Sequence, residues 1–213
     1  AAKLKVWIVV GVTERYRGTL FCSLLYLSPK GELAQHHRKL KPTAAERIVW
    51  GEGDGRDLGT VTSALGPMGG LICWENYMPL ARMALYELGV NVYLAPTADH
   101  RDRWQHSLSH IALEGRCFVL GANQVVRKAD YPTDLPDLSD LEIQPDLMSR
   151  GGSVIYGPLG EPLAGPVWDE EQSLVADLAF AELVRARLDF DVSGHYARPD
   201  VFRYAWPGKP DTI

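Results

Sequence analysis

The sequence predicts an α/β fold in which helices cover a mixed β-sheet. Apolar, β-branched runs alternate with segments whose apolar residues recur at helical spacing, as in strand–helix–strand units. Short strand-like segments separated by turn residues occur near both ends of the chain, which is typical of antiparallel hairpins. The sequence contains neither an internal repeat nor a low-complexity linker. A single domain at residues 1–188, followed by an irregular, aromatic tail at 189–213, is therefore the predicted organisation.

The first part of the chain is predicted to be β-structure. Strands are expected at Val6–Val12, Leu20–Leu27 and Glu32–Leu40, and a turn at residues 28–31 joins the last two. Because the first run is continuously apolar, it indicates a strand buried on both faces. Such a strand needs neighbours to pair with, and it begins with no leading cap or turn. We therefore expect a further unit before it.

The hydrophobic period changes at Pro79, where helices begin to alternate with strands. Leu80, Ala84 and Leu88 fall at helical spacing, and Gly89 supplies the position after the helix end. In chain order, the other predicted elements are a long loop at 41–57, strands at 60–65 and 70–74, the helix from 79, a strand at 90–95, a helix around 104–115, a strand at 117–126, a surface excursion at 129–149, strands at 153–156, 161–167 and 173–178, and a helix at 180–188.

Composition restricts the classes of function. The residues are 46% hydrophobic and 23% charged, and the net charge of −5 gives a nucleic-acid partner no electrostatic support. No apolar stretch is long enough to span a bilayer, so no membrane partner is expected. Cys22, Cys73 and Cys117 are odd in number and far apart in the sequence. This pattern favours reduced thiols and a cytoplasmic location, and it leaves a thiol for nucleophilic chemistry.

Cys73 is the strongest candidate for chemistry among the individual residues. It follows a short apolar run and precedes a predicted helix. A thiol in that place lies near backbone N–H groups, which favour the thiolate and form an oxyanion site. The alternative is a buried structural cysteine, the interpretation that we favour for Cys22 and Cys117 in their apolar strands.

A basic cluster at residues 36–43 forms a second candidate. A solvated charged face is the default interpretation of such a run, but this one lies where a strand enters a loop, and functional sites gather at strand ends. His36 and His37 point to opposite faces of a strand, so they cannot chelate one ion together. No metal and no other cofactor is predicted.

Six segments of the chain form a recognisable series of motifs: residues 38–47, 50–55, 73–76 (Cys-Trp-Glu-Asn), 95–99, 110–115 and 189–196. In this order and at this spacing, they resemble the nitrilase branch of the nitrilase superfamily. The resemblance implies an α-β-β-α sandwich that hydrolyses a small organic nitrile to a carboxylic acid and ammonia through a thioimidate and a thioester. It also implies homo-oligomers, either dimers or spirals.

The same resemblance assigns roles to individual residues. Members of the family use a Glu-Lys-Cys triad and often a second glutamate. Cys73 resembles the nucleophile, Lys39 the catalytic lysine and Glu46 the second glutamate, with Lys41 as the fallback for the lysine. The residues expected to support the site by hydrogen bonds or to shape its pocket are Trp74, Glu75, Asn76, Thr97, Trp104 and Glu114.

The first glutamate of the triad has no counterpart in this sequence. The family carries it in an N-terminal strand–helix–strand unit, and Glu14, the nearest residue of that type, matches a different position. Three functions therefore stay open: a nitrilase whose N-terminal unit lies elsewhere or in a separate chain, an amidase or carbamoylase, and an inactive or assembly-only fragment. Trp74 and the Lys-Pro-Thr at 41–43 favour the nitrilase. The aromatic tail is compatible with docking onto a neighbouring subunit or onto its own.

Overall fold

A computed structural model describes residues 1–209, which form ten β-strands and four α-helices. The strands are β1 (Ile8–Tyr16), β2 (Thr19–Leu27), β3 (Leu33–Arg38), β4 (Val61–Ser63), β5 (Gly66–Gly70), β6 (Val92–Leu94), β7 (Phe118–Gly121), β8 (Val125–Arg127), β9 (Leu147–Tyr156) and β10 (Pro162–Trp168). The helices are α1 (Pro79–Glu87), α2 (Asp102–Gly115), α3 (Ser139–Glu142) and α4 (Phe180–Asp189).

The strands form two sheets. The smaller has the order β1-β2-β3 and is antiparallel throughout, with Ser23 of β2 opposite Arg38 of β3. The larger has the order β10-β9-β7-β6-β5-β4, and β8 pairs with the first part of β9. Its centre, β5-β6-β7, is parallel because α1 and α2 provide the crossover connections between these strands.

The apolar faces of the sheets and helices determine how the layers of the fold pack. Leu24 and Tyr26 of the smaller sheet pack against Met68 and Val92 of the larger sheet, and this cluster forms the core between the two sheets. A second core, centred on Trp104, lies between the larger sheet and its helices. The part of the chain that the structure describes therefore stacks as β-β-α, a mixed α/β arrangement of the predicted class.

The first strand differs from the prediction. It covers Ile8–Tyr16, pairs only with β2, and leaves the outward side chains of Ile8 and Val10 38% and 40% exposed. The expectation of a strand buried on both faces is wrong for the described structure, because β1 is an edge strand whose inward residues alone, such as Val9, reach the core.

Other boundaries were predicted with mixed success. The helices at 79–88, 104–115 and 180–188 are confirmed, and Gly89 follows the first of them with a φ of +70°. The strand predicted at 70–74 is wrong, since β5 ends at Gly70 and residues 73–77 form a 3₁₀ turn. The strand predicted at 117–126 is split into β7 and β8, the one at 153–156 begins at Leu147, and residues 173–178 form no strand.

The C-terminal tail docks onto its own subunit. Tyr204 donates a hydrogen bond to the Leu80 carbonyl, and Trp206 packs on the helix-side core. Lys209 forms an ion pair with Glu87 at 2.6 Å. Phe202 remains 74% exposed. The prediction for the tail extends to residue 213, and its last part, 210–213, lies outside the described residues. Contact with a neighbouring subunit stays a prediction.

Candidate active site

Several of the residues predicted to carry the chemistry lie near the carboxyl ends of the parallel strands. Cys73 follows β5, Thr97 follows β6 and Asn123 follows β7, while Lys39 comes directly after β3 of the other sheet. These ends meet around one cavity of about 420 Å³ between the two sheets. Its lining residues are Gly11, Cys22, Lys39, Glu46, Ile72, Cys73, Pro96, Thr97, Ala98, Ala122, Asn123 and Gln124.

Cys73 is held in a strained backbone conformation. Its φ is +53°, in the left-handed region that residues with a Cβ seldom adopt. The Cys73 N–H donates to the Pro96 carbonyl at 2.8 Å, and the Thr97 hydroxyl lies 3.1 Å from Sγ. The N–H of Cys73 itself is therefore engaged, and the nearest polar group that the structure places on the thiol is Thr97, one of the predicted supporting residues.

Lys39 is a buried cation with two partners. Its side chain is 1% exposed, and Nζ donates to Glu46 Oε2 at 2.6 Å and to the Thr43 hydroxyl at 2.9 Å. Glu46 also accepts from the Thr43 N–H at 2.6 Å. Lys41, the fallback, pairs instead with Glu52 and is 53% exposed. The structure thus brings Lys39 and Glu46 to the cavity that Cys73 lines, and it leaves Lys41 in solvent.

Glu75 connects the segment that carries Lys39 to the segment that carries Cys73. Its buried carboxylate accepts from the Leu40 N–H at 2.7 Å and from the Ile72 N–H at 2.8 Å. Leu40 follows Lys39 and Ile72 precedes Cys73, so one side chain fixes both neighbours. This geometry fits the predicted supporting role of Glu75.

His37 completes this buried arrangement. Nδ1 lies 3.0 Å from Asp57, and Nε2 lies 3.0 and 3.1 Å from the two oxygens of Glu75. Burial by itself would lower the pKa of His37, but the charge of Glu75 and the hydrogen bonds to both carboxylates raise it to about 9. The imidazolium therefore donates on both sides at neutral pH.

The two predicted tryptophans occupy different environments. Trp74 is 39% exposed and its Nε1 donates to Asp99 at 2.8 Å. Trp104 is fully buried, does not line the cavity, and packs edge-to-face on Tyr77, which in turn contacts Trp74. Trp104 is therefore linked to Trp74 through Tyr77, and its supporting role stays a prediction.

Asn76 and Glu114 stabilise the segment that follows Cys73. Asn76 Nδ2 donates to the Cys73 carbonyl at 2.8 Å. Glu114 accepts from Arg82 at 2.8 Å, and Arg82 donates to the Asn76 carbonyl at 2.7 Å. Although burial raises the pKa of Glu114, Arg82 and Tyr86 together hold it below its usual range. Glu114 is therefore linked to Asn76 through Arg82, and its supporting role stays a prediction.

Glu14 lies on the outer face of the smaller sheet, away from the cavity. It accepts from Arg38 Nε at 3.0 Å, and it contacts Ser23 and His36 at 2.7 Å each. The Arg38 guanidinium, assisted by Ser23 and His36, lowers the pKa of Glu14 to about 2. A carboxylate that is so strongly stabilised is a poor proton acceptor, so the geometry gives Glu14 a structural role.

The environment of Glu14 predicts a specific dependence of stability on pH. Because the folded pKa of Glu14 is depressed, its contribution to stability is present above its usual pKa of 4.5 and is lost as pH falls toward about 2. Glu14→Gln should therefore lower the free energy of unfolding at pH 7 and flatten the loss of stability on acidification, as measured by urea unfolding across this range. Glu32→Gln, at an exposed position, is the control. An unchanged acid profile in Glu14→Gln would contradict this assignment.

Two of the cavity residues were not predicted as site residues from the sequence. Cys22, interpreted as a structural cysteine, lines the cavity because it lies opposite Lys39, whose N–H donates to the Cys22 carbonyl at 2.8 Å. Burial raises the pKa of the Cys22 thiol. Asn123, which was not among the predicted site residues, also lines the cavity. Strand register would have identified Cys22, whereas nothing local in the sequence marks Asn123.

Two further features concern ligands and membranes. Among residues 1–209, no group of three or more His, Cys, Asp or Glu side chains is arranged to hold a metal ion. No helix in the described part of the chain has the length and apolar character required to cross a membrane.

Comparison with known proteins now identifies the family. Residues 1–188 match the carbon-nitrogen hydrolase family. The chain is 51% identical over 207 residues to an aliphatic nitrilase of Sinorhizobium fredii, covering 96% of this chain and 66% of the relative. It is 54% identical over 206 residues to a bifunctional nitrilase/nitrile hydratase of Oryza sativa, covering 94% and 57%. The fold matches a carbon-nitrogen hydrolase from Helicobacter pylori with a TM-score of 0.77 at 20% identity, covering 94% of this chain and 70% of that one.

The chain therefore belongs to the carbon-nitrogen hydrolase family, in its nitrilase branch. The predicted resemblance and the fold class are confirmed. The chain spans 57% to 66% of the length of these curated relatives.

Proposed function

We propose that this protein is a nitrilase that hydrolyses an organic nitrile to a carboxylic acid and ammonia, with Cys73 as the nucleophile. The observation that carries the proposal is the shared cavity, in which a thiol, a buried lysine and a carboxylate converge from two different sheets. The relatives named above, an aliphatic nitrilase and a bifunctional nitrilase/nitrile hydratase, support the choice of substrate class.

The chemistry explains why these side chains are required. A nitrile carbon is a weak electrophile, so the attacking group is a thiolate. The sulfur of Cys73 adds to the carbon, the nitrogen takes a proton, and a thioimidate forms. The Lys39 ammonium stabilises the negative charge that develops on nitrogen. Water then adds to the thioimidate carbon, ammonia leaves, and a second water cleaves the resulting thioester to the acid and free Cys73.

The base that takes the Cys73 proton is proposed to lie outside residues 1–213. Glu46 is the carboxylate in the cavity lining that the structure describes, and it already accepts from Lys39 and from Thr43. A glutamate from another segment of the protein, or from a second chain, would complete the set. Glu46 then orients Lys39 and assists the water steps.

The balance between acid and amide depends on one intermediate. After water adds to the thioimidate, the tetrahedral carbon carries both nitrogen and sulfur. Loss of ammonia leads to the acid, whereas loss of the Cys73 thiolate releases the amide. Because the nitrogen must be protonated before it can leave as ammonia, a proton donor beside it and a carboxylate that stabilises the resulting ammonium favour the first route. Lys39 is the proposed donor of that proton, and Glu46, its hydrogen-bond partner, is the proposed carboxylate.

The test measures two products, ammonia and carboxylic acid, on the purified protein after the intact mass of every polypeptide is known. A second chain, or a species heavier than 23.6 kDa, would identify the source of the missing carboxylate. We expect ammonia and acid from aliphatic and aromatic nitriles, faster than ammonia from the matching amides, and neither product from Cys73→Ala. Release from amides alone would indicate an amidase. Absence of both reactions would contradict the proposal and favour the assembly-only alternative.

A further inference from the structure

His37 lies buried behind Lys39 and Cys73, the proposed catalytic pair, and does not line their cavity. His37 is 1% exposed and is absent from the lining. Its cross-strand neighbour is Leu24 of β2, so its side chain faces the core between the sheets. Nothing in the proposed chemical steps uses His37. A buried, charged side chain that serves no structural or functional purpose would be costly to retain.

The contacts of His37 converge on a single carboxylate. Nε2 lies within 3.1 Å of both oxygens of Glu75, and the same oxygens accept the N–H groups of Leu40 and Ile72. Three donors from three directions fix the plane of this carboxylate. On its other side, His37 is held by Asp57, which also accepts the Arg38 N–H at 2.9 Å.

We propose that His37 is a positioning residue, which holds Glu75 in the orientation that sets the distance between Lys39 and Cys73. The proposal rests on the function proposed above for those two residues. Without a donor at Nε2, the carboxylate keeps two backbone partners but loses the third donor, which fixes its plane. It is then expected to rotate or take up water, and both backbone segments that it joins shift.

Two nearly isosteric variants separate the two sides of the ring. In His37→Gln the amide nitrogen lies about where Nε2 was, so a donor to Glu75 is kept and the donor to Asp57 is lost. In His37→Asn the amide nitrogen lies about where Nδ1 was, so the donor to Glu75 is lost. A purely structural role makes the two variants equivalent, whereas positioning through Glu75 makes them different.

The readout is the alkylation rate of Cys73 by iodoacetamide, followed by peptide mass spectrometry so that Cys22 and Cys117 are resolved. We expect His37→Asn to slow alkylation of Cys73 about tenfold, in line with the usual effect of removing a residue that orients an active group. We expect His37→Gln to stay within about twofold of the unmodified protein, and Cys117, which is fully buried, to remain slow throughout.

His36→Asn is the matched control. His36 is the adjacent residue on the same strand, faces the opposite side and contacts Glu14 at 2.7 Å. It should alter stability without changing the alkylation of Cys73. Where nitrile turnover is measurable, the loss in His37→Asn is expected in kcat, with KM nearly unchanged, because His37 does not touch the cavity.

Equal rates in the Gln and Asn variants, or an unchanged rate in His37→Asn, would overturn the proposal. If His37→Asn fails to fold, His37→Gln decides alone. A tenfold slower alkylation of Cys73 in that variant would contradict positioning through Glu75. Alkylation requires no nitrile. A protein that hydrolyses no nitrile would therefore refute the proposed function while leaving the result for His37 interpretable.

Discussion

Lys39→Ala is expected to abolish nitrile turnover while leaving the fold intact. Its ammonium is the cation buried in the cavity lining, and removal of a single preorganised donor of this kind costs about 10²–10³ in kcat. The same change should slow the alkylation of Cys73, because the thiolate loses a nearby positive charge. Ammonia release and the rate of Cys73 modification are the two measurements.

The chain offers a close control for that experiment. Lys41 lies on the same segment two residues later, carries the same charge, and is 53% exposed in a pair with Glu52. Lys41→Ala should leave both measurements unchanged. Lys39→Met, which keeps the volume of the buried stem but not the charge, should behave like Lys39→Ala. Near-normal turnover in either Lys39 variant would remove this residue from the mechanism, and a loss in Lys41→Ala would reassign its role.

The sequence predicted the parts of the molecule that local patterns control. Helix α1 follows from the apolar spacing after Pro79, and its end follows from Gly89, which adopts a φ that other residues avoid. Cys73 and Lys39 could be proposed from motifs because their chemistry requires fixed residue types. The hairpin of β2 and β3 likewise followed from the turn between them.

The remainder depends on contacts between distant residues. The apolar run before Cys73 has the composition of a strand, but the chain turns there to place Cys73 at a φ of +53°, a feature that no propensity predicts. His37 and Glu75 are 38 residues apart, and only the packing of two sheets brings them into contact. The position of β1 at the edge of its sheet could not be predicted for the same reason. An apolar run shows that a strand is compatible with burial, but it does not show how many neighbouring strands it has.

Substitution of Glu75 is expected to cause the largest loss of stability among the residues of the site. Its carboxylate is fully buried, pairs with His37 and accepts two backbone N–H groups. Glu75→Ala leaves an imidazolium and two amides without their acceptor. Removing one partner of a buried ion pair typically costs about 3–5 kcal/mol. The decrease in the free energy of unfolding, measured with urea at pH 7, is expected in that range.

A milder variant and a surface control make this expectation decisive. Glu75→Gln retains one oxygen acceptor but turns a donor toward one of the three groups that also donate, so we expect a loss smaller than in Glu75→Ala but still clear. Glu52→Gln removes a carboxylate that is 54% exposed and should cost about 0–1 kcal/mol. If Glu75→Ala and Glu52→Gln destabilise the protein equally, the buried carboxylate does not join the two segments of the site. The positioning role of His37 would then lose the residue through which it acts.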